Sequence, residues 1–199
     1  MNIATVPASL FAAVAPFMAK KDVRYYLNGL LLTRSDTGLR AVATDGHALA
    51  ICDAPGIGPE SAAIVPRDAV EWAIKAGGEV TLSWDGLDAT ATASNGASLP
   101  FKMIDGRFPE YQAVVPMLQD DRTEMPAFNP DILGLFAKSK AALKKAGVTN
   151  DRNCALTLHG NGLNNAIGAE LSGLGDGFRL IGVIMPMRDS AAGRAEFRA

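Results

Sequence analysis

The strongest constraint on this chain is a pattern that occurs three times: an extended segment, a helix opening at or near a proline, then a meander of short strands. The first copy runs from "IATVPASLFAAVAPFMA" through "YYLNGLLLTR", "GLRAVATD" and "ALAICDAP", with turns at Ser35-Asp36 and Asp45-Gly46. The second runs from "AAIVPRDAVEWAIKAGG", where Pro66 starts a helix and Gly77-Gly78 stop it, through "EVTLSW", "DATATAS" and "LPFKMID". The third starts at "MPAFNPDILGLFAKSKAALKKAG", with Pro130 at the helix start and Gly147 as its stop. Its strands are "CALTLHG", "LNNAIGAELS" and "FRLIGVIMPM". Each unit reads βαβββ. One helix per strand meander predicts antiparallel sheets with helices on one face, an α+β class.

Two units make a complete domain, expected over 1–117. The third makes half of another, expected over 118–188, and 189–199 reads as a polar tail. The stretch "DGRFPEYQAVVPMLQDDRTEM" reads as a connector, being polar with little periodicity. A chain of 199 residues with 48% hydrophobic content can bury a core of this size. The apolar N-terminal stretch has its basic residues, Lys20 and Lys21, on the wrong side for a secretory signal, and Pro16 interrupts it. No apolar run reaches the roughly 20 residues of a membrane span. Cys52 and Cys154, far apart, read as buried reduced thiols. A cytoplasmic protein without membrane association is therefore expected.

Asp45-Gly46-His47 invites a catalytic reading, but catalysis would need a group to orient His47 and a nucleophile or a metal. His159, the other histidine, sits in "LHGNG", which reads as a hairpin loop. No serine lies in a nucleophile elbow. The glycine-rich pieces "GIGPES" and "SGLGDGF" lack the Lys-Ser/Thr of a phosphate loop. No enzyme, no catalytic residue, no metal and no cofactor are expected; Asp45-Gly46 reads as a tight turn with His47 lining a surface.

The net charge of −2 excludes a uniformly basic surface but not a local one. The third helix should turn Ile132, Leu133, Leu135, Phe136 and Leu143 toward a sheet. It carries Lys138, Lys140, Lys144 and Lys145 against one aspartate. Lys20, Lys21 and Arg24 form a second basic cluster beside Tyr25 and Tyr26. Cations next to aromatics suit phosphates and bases, so these nine residues are the candidate DNA-binding set. "GVIMPMRD" is an apolar strand ending in two methionines around a proline, a composition that could line core or an adaptable peptide-accepting patch.

"DVRYYLNGLLL", "LRAVATDGHALAI", "IVPR", "IDGRFPEY" with "VVP", "FN" and "VIMPMR", in this order, closely resemble the bacterial DNA polymerase III beta subunit, the sliding clamp. Residues 1–117 resemble that family's middle domain, and "FNPDIL" to "VIMPMR" the second half of its C-terminal domain. The resemblance implies a DNA-clamp fold and a non-enzymatic processivity factor. Such a ring encircles double-stranded DNA and holds DNA polymerase and other clamp-binding proteins by short peptides; a clamp loader is a further candidate partner. Six-domain rings contain twelve units, so a homo-oligomer of four chains is expected. The alternative is a binding module that encircles nothing and competes for clamp-binding peptides.

The family's peptide pocket implies Leu27, Thr44, Gly46, His47, Leu49 and Pro116 on one side. Asn129, Val183, Ile184, Met185, Pro186, Met187 and Arg188 are implied on the other. Ala48 replaces an arginine usual after Gly-His, and Asp189 an apolar residue after Met-Pro-Met-Arg. An isolated half-domain would also leave a sheet edge open, which pairing between the third units of two chains would close.

Overall fold

A computed structural model describes residues 1–36, 38–116, 126–150, 152, 154–160, 162, 164–175 and 177–187. The 1–117/118–188 boundary, the 189–199 tail, Arg188 and Asp189 lie wholly or partly outside the described residues. The first unit is β1 (Asn2–Pro7), α1 (Ala8–Val14), β2 (Gly29–Ser35), β3 (Gly38–Thr44) and β4 (Ala48–Ala54). The second is β5 (Ala63–Pro66), α2 (Arg67–Ala76), β6 (Glu79–Asp85), β7 (Asp88–Ala93) and β8 (Ser98–Lys102). The third is α3 (Asp131–Lys145), β9 (Leu156–His159), β10 (Ile167–Leu171) and β11 (Arg179–Ile184). The α+β class is as the pattern required, and the first two units are βαβββ, while the third is αβββ among the described residues.

The units exchange their leading strands. β1 pairs with β6 of the second unit, giving a four-stranded sheet in the order β1-β6-β7-β8. β5 pairs with β2 of the first, in a seven-stranded sheet ordered β5-β2-β3-β4-β11-β10-β9. All named pairings are antiparallel. The β4–β11 seam aligns Ala48 with Ile184, Leu49 with Val183 and Asp53 with Arg179. One open edge of the third unit is thus closed within the chain rather than by a second one.

The main core lies between helices and sheets: Leu10, Phe11, Leu30, Leu32, Leu82, Phe136 and Leu180 are among its fully buried members. α3 docks on α1 and the 3-10 turn that follows it, where the Phe136 ring stands edge-on to Phe17 at a centroid distance of 4.9 Å. The buried Ser139 hydroxyl donates to the Ala13 carbonyl. Gly182 of β11 lets the ring approach, since a Cβ there would overlap it. A smaller core covers the other face of the large sheet, where Phe108 and Tyr111 close over Val42, Leu49, Ile51, Ile64 and Val183.

Several expectations need correction. Tyr25–Asn28 is a 3-10 turn, not the start of a strand. Asp22 and Asn28 tie that loop shut, Asp22 N–H donating to Asn28 Oδ1 and Asn28 Nδ2 to the Asp22 carbonyl. The described part of the connector is not loose, because Phe108 and Tyr111 are buried on the sheet. His159 ends β9 opposite Gly168 instead of lying in a hairpin loop. Leu133 is exposed and Leu135 half-buried, so the α3 stripe facing inward is Ile132, Phe136, Ser139 and Leu143. Cys52 is buried, and burial pushes its thiol up, but Cys154 is only half-buried. The segment before α3 forms no named strand among the described residues, though Met187 N–H donates to the Ala127 carbonyl (2.8 Å).

Candidate peptide groove and basic surface

The Asp45-Gly46-His47 triplet is a backbone device. Asp45 Oδ1 accepts from the N–H groups of His47 (2.8 Å) and Ala48 (2.9 Å). The Thr44 hydroxyl donates to the Ala48 carbonyl (2.8 Å) and accepts from Gly46 N–H (3.0 Å). Gly46 has φ +93°, a conformation that an L side chain adopts only with strain. Arg24 backs the turn, its Nη2 donating to the Asp45 carbonyl while its guanidinium grips the Asp22 carboxylate in two bonds. Those bonds hold the Asp22 carboxyl down at about 2. Asp45 therefore spends its carboxylate on two amides, and Asp45→Ala is expected to cost about 1–2 kcal/mol by leaving them without that acceptor. Urea unfolding checks this; an unchanged midpoint would show that water replaces the carboxylate without loss.

Beside the turn, the first and third units meet in an open groove of ≈ 560 Å³ lined by Asp45, His47, Asn129, Asp131, Ile132, Leu135, Met185, Pro186 and Met187. β11 delivers the methionines here because Met185 N–H donates to the His47 carbonyl (2.9 Å), extending the seam by one bond. Met185 and Met187 are 41% and 55% exposed, so their thioethers are available to a ligand. Asn129 stands just ahead of the α3 cap Pro130, its Oδ1 accepting from Asp131 N–H (2.9 Å).

The residues implied for the pocket thus divide. His47, Asn129, Met185, Pro186 and Met187 line this groove. Leu27, Thr44, Leu49, Val183 and Ile184 are buried. Pro116 lines a second groove of ≈ 390 Å³ along the seam, with Arg40, Ile51, Asp53, Tyr111, Gln112, Val115, Arg179 and Ile181. Arg40 makes two bonds of 2.7 and 2.8 Å to Asp53 there. Gly46 shapes the turn, and Arg188 lies outside the described residues. Asp131, Ile132 and Leu135 were not singled out for the groove in the sequence; the helical stripe assigned Ile132 and Leu135 to the sheet. Ala48 is 2% exposed in the main core, opposite Ile184, so it lies beneath the groove and not in its lining.

The basic residues occupy three places. Lys20 and Lys21 are exposed just after Met18 and Ala19, whose carbonyls accept bonds from Arg67. Arg24 and Tyr25 belong to the loop behind the Asp45 turn, with Tyr26 edge-on to Tyr25 at 5.7 Å. On α3, Lys138, Lys144 and Lys145 are exposed and Lys140 half-buried, away from the inward stripe. No group of three or more His, Cys, Asp or Glu side chains with metal-binding arrangement occurs among the described residues. Nor is any helix among them long and apolar enough to cross a membrane.

The central-domain model of the DNA polymerase III beta subunit matches residues 5–110. This chain belongs to that family. The beta sliding clamp of Escherichia coli K12 is 42% identical over 120 residues, covering 54% of this chain and 31% of that protein. That of Pseudomonas aeruginosa is 39% identical over 106 residues, covering 50% and 29%. The chain thus spans about a third of the length of these curated relatives. Likeness to solved clamps extends over nearly all of the chain. A Pseudomonas aeruginosa sliding clamp with ligand superposes with a TM-score of 0.70 at 22% identity, covering 94% of this chain and 66% of that one. A second structure from that organism, bound to griselimycin, gives 0.65 at 22% identity, covering 95% and 66%. At that identity the match establishes the clamp fold for the third unit as well as the first two.

Proposed function

We propose that this chain is a sliding-clamp-type processivity factor. It would encircle duplex DNA as a homo-oligomeric ring and hold DNA polymerase and other partners by apolar peptides in the Met185–Met187 groove. The observation that carries this reading is the β4–β11 seam. One continuous sheet joins the first and third units, and the groove opens at its end between His47 and the two methionines. Exposed thioethers beside a proline adapt to varied apolar side chains. Asp45 and Asp131 at the same groove favour peptides that carry a cation next to their apolar anchor. The lysines of α3 supply charge for DNA phosphates, and the chemistry is binding rather than catalysis. A ring of twelve units would need four chains of 20.8 kDa.

Retention on DNA of different topology is the test. The protein should stay on nicked circular plasmid through gel filtration and run off the same plasmid once linearised. Lys138→Ala, Lys144→Ala and Lys145→Ala together should weaken loading at 50 mM salt by about tenfold or more, and the loss should shrink as salt rises, because phosphate contacts release counterions. Equal binding to circular and linear DNA would overturn encirclement and leave a module that competes for clamp-binding peptides.

A further inference from the structure

The three units repeat one pattern of backbone bonds, and the third is left half complete. In each unit a residue just ahead of the helix bonds to the unit's own exit: Thr5 N–H to the Ile57 carbonyl, Ile104 N–H to the Ile64 carbonyl, Met187 N–H to the Ala127 carbonyl. That shared bond makes Pro7, Pro66 and Asn129, each two residues further on, the equivalent positions; Pro7 and Pro66 cap their helices, and Asn129 stands one residue ahead of the Pro130 cap. In the first two units, the opposite edge of the leading strand pairs with the other unit's meander, placing Pro7 opposite Glu79 and Pro66 opposite Gly29. In the third unit, neither residues 126–128 nor β9 has such a partner among the described residues, and β9 ends its sheet.

Side-chain burial follows the same division. Leu30 and Leu32 in β2, and Val80 and Leu82 in β6, are completely buried under the exchanged strands. Their equivalents in β9, Leu156 and Leu158, are half-buried. Leu133 stands where the other two helices have Phe11 and Val70, both 0% exposed, yet it is 36% exposed itself. On α3 it lies on the flank turned away from Ser139, which faces α1.

We infer that two copies of this chain pair through their third units, each lending residues 126–128 to the open edge of the other's β9. The occupant follows from the pattern: the edge needs a segment ahead of a clamp helix, and a second copy carries the matching one with Ala127 exposed, Phe128 half-buried and its outer edge likewise without a strand partner among the described residues. The bond parity agrees. Ser172 N–H donates to the Ala155 carbonyl on the β10 side, so ladder alternation turns the amide groups of Leu156 and Leu158 outward. Those of Phe128 must likewise face away from Met187, since Ala127 faces toward it. Transferring the register of the first two units pairs Phe128 with Leu156 in hydrogen bonds and Ala127 with Thr157 between them. Pro126 has no N–H and ends the ladder. The two α3 helices meet along Leu133, and two half-domains become one domain. This pairing rests on strand accounting and not on encirclement; a dimer could form and still fail to hold circular DNA.

The test uses the full chain in a Cys154→Ser background. Ala127 and Thr157 are both exposed, and the transferred register gives them the close spacing of a non-hydrogen-bonded pair, which a disulfide spans. Light scattering should give two chains or an even multiple at micromolar concentration. Under mild oxidation Ala127→Cys mixed with Thr157→Cys should give a disulfide-linked two-chain band. Each variant alone should give at least tenfold less, and the double variant should link almost completely. A monomer at every concentration would overturn the inference. So would linking of either single variant with itself as efficiently as in the mixture, because that requires a different interface. An oligomer in which the mixture fails to link would overturn the register and with it the exchange.

Discussion

Phe136→Ala should lower unfolding free energy by about 3–5 kcal/mol, the range for deleting a fully buried aromatic side chain. The ring is 1% exposed and touches three elements: α3, which carries it, Phe17 just after α1, and β11 at Gly182. Its edge-on neighbour Phe17 is itself completely buried, so the truncation opens a cavity inside the core rather than at the surface. The loss should concentrate on α3. Urea unfolding would read the total, and hydrogen exchange should show the α3 amides losing protection before those of β2–β4. Gly182→Val attacks the same contact from the other side by overpacking and should cost about 1–3 kcal/mol. A loss below about 1 kcal/mol for Phe136→Ala would mean that the Ser139 hydrogen bond and the seam hold the third unit without the ring.

The second large effect falls on ligand binding. With both Met185→Ala and Met187→Ala, affinity for a ligand of the groove should fall by about 2–4 kcal/mol, roughly 30- to 1000-fold, the scale of a central anchor cluster. An apolar peptide with a cation beside its anchor, the ligand class proposed above, is the probe. Calorimetric titration of the unmodified chain, each single variant and the double variant would measure the change. Stability should stay within about 0.5 kcal/mol, because Met185 and Met187 are exposed residues and their backbone bonds to His47 and Ala127 are unaffected. Binding that ignores both substitutions would place the ligand elsewhere, the Pro116 groove being the next cavity on the same seam. Loss of binding together with loss of stability would instead mean that the methionines hold the seam.

The groove was partly legible in the sequence because its strand end is distinctive. Met185-Pro186-Met187 and His47 were named from motif alone, and the structure brings them together. Ile132 and Leu135 were not assigned to it, since a helical stripe shows which residues avoid water without showing whether a sheet or a cleft receives them. Arg24 shows a similar limit. Beside two tyrosines it reads as a phosphate contact, but the fold gives it Asp22 and the Asp45 carbonyl as partners.

Local chemistry determined the elements themselves. Alternating apolar residues set the strands, prolines and glycines set the helix ends, and the threefold recurrence set the α+β class, because all these act within a few residues. The partner of each strand was decided only in three dimensions. Which meander receives β1 or β5, and that β11 closes on β4, depends on which apolar faces can be buried together across separations from 31 residues between Leu32 and Ala63 to 136 between Ala48 and Ile184. Short sequence windows contain no record of that competition. The same global choice put Leu133 on an exposed flank, although its neighbours Ile132 and Phe136 are buried. The local pattern could grade its hydrophobicity but not supply the helix that would cover it.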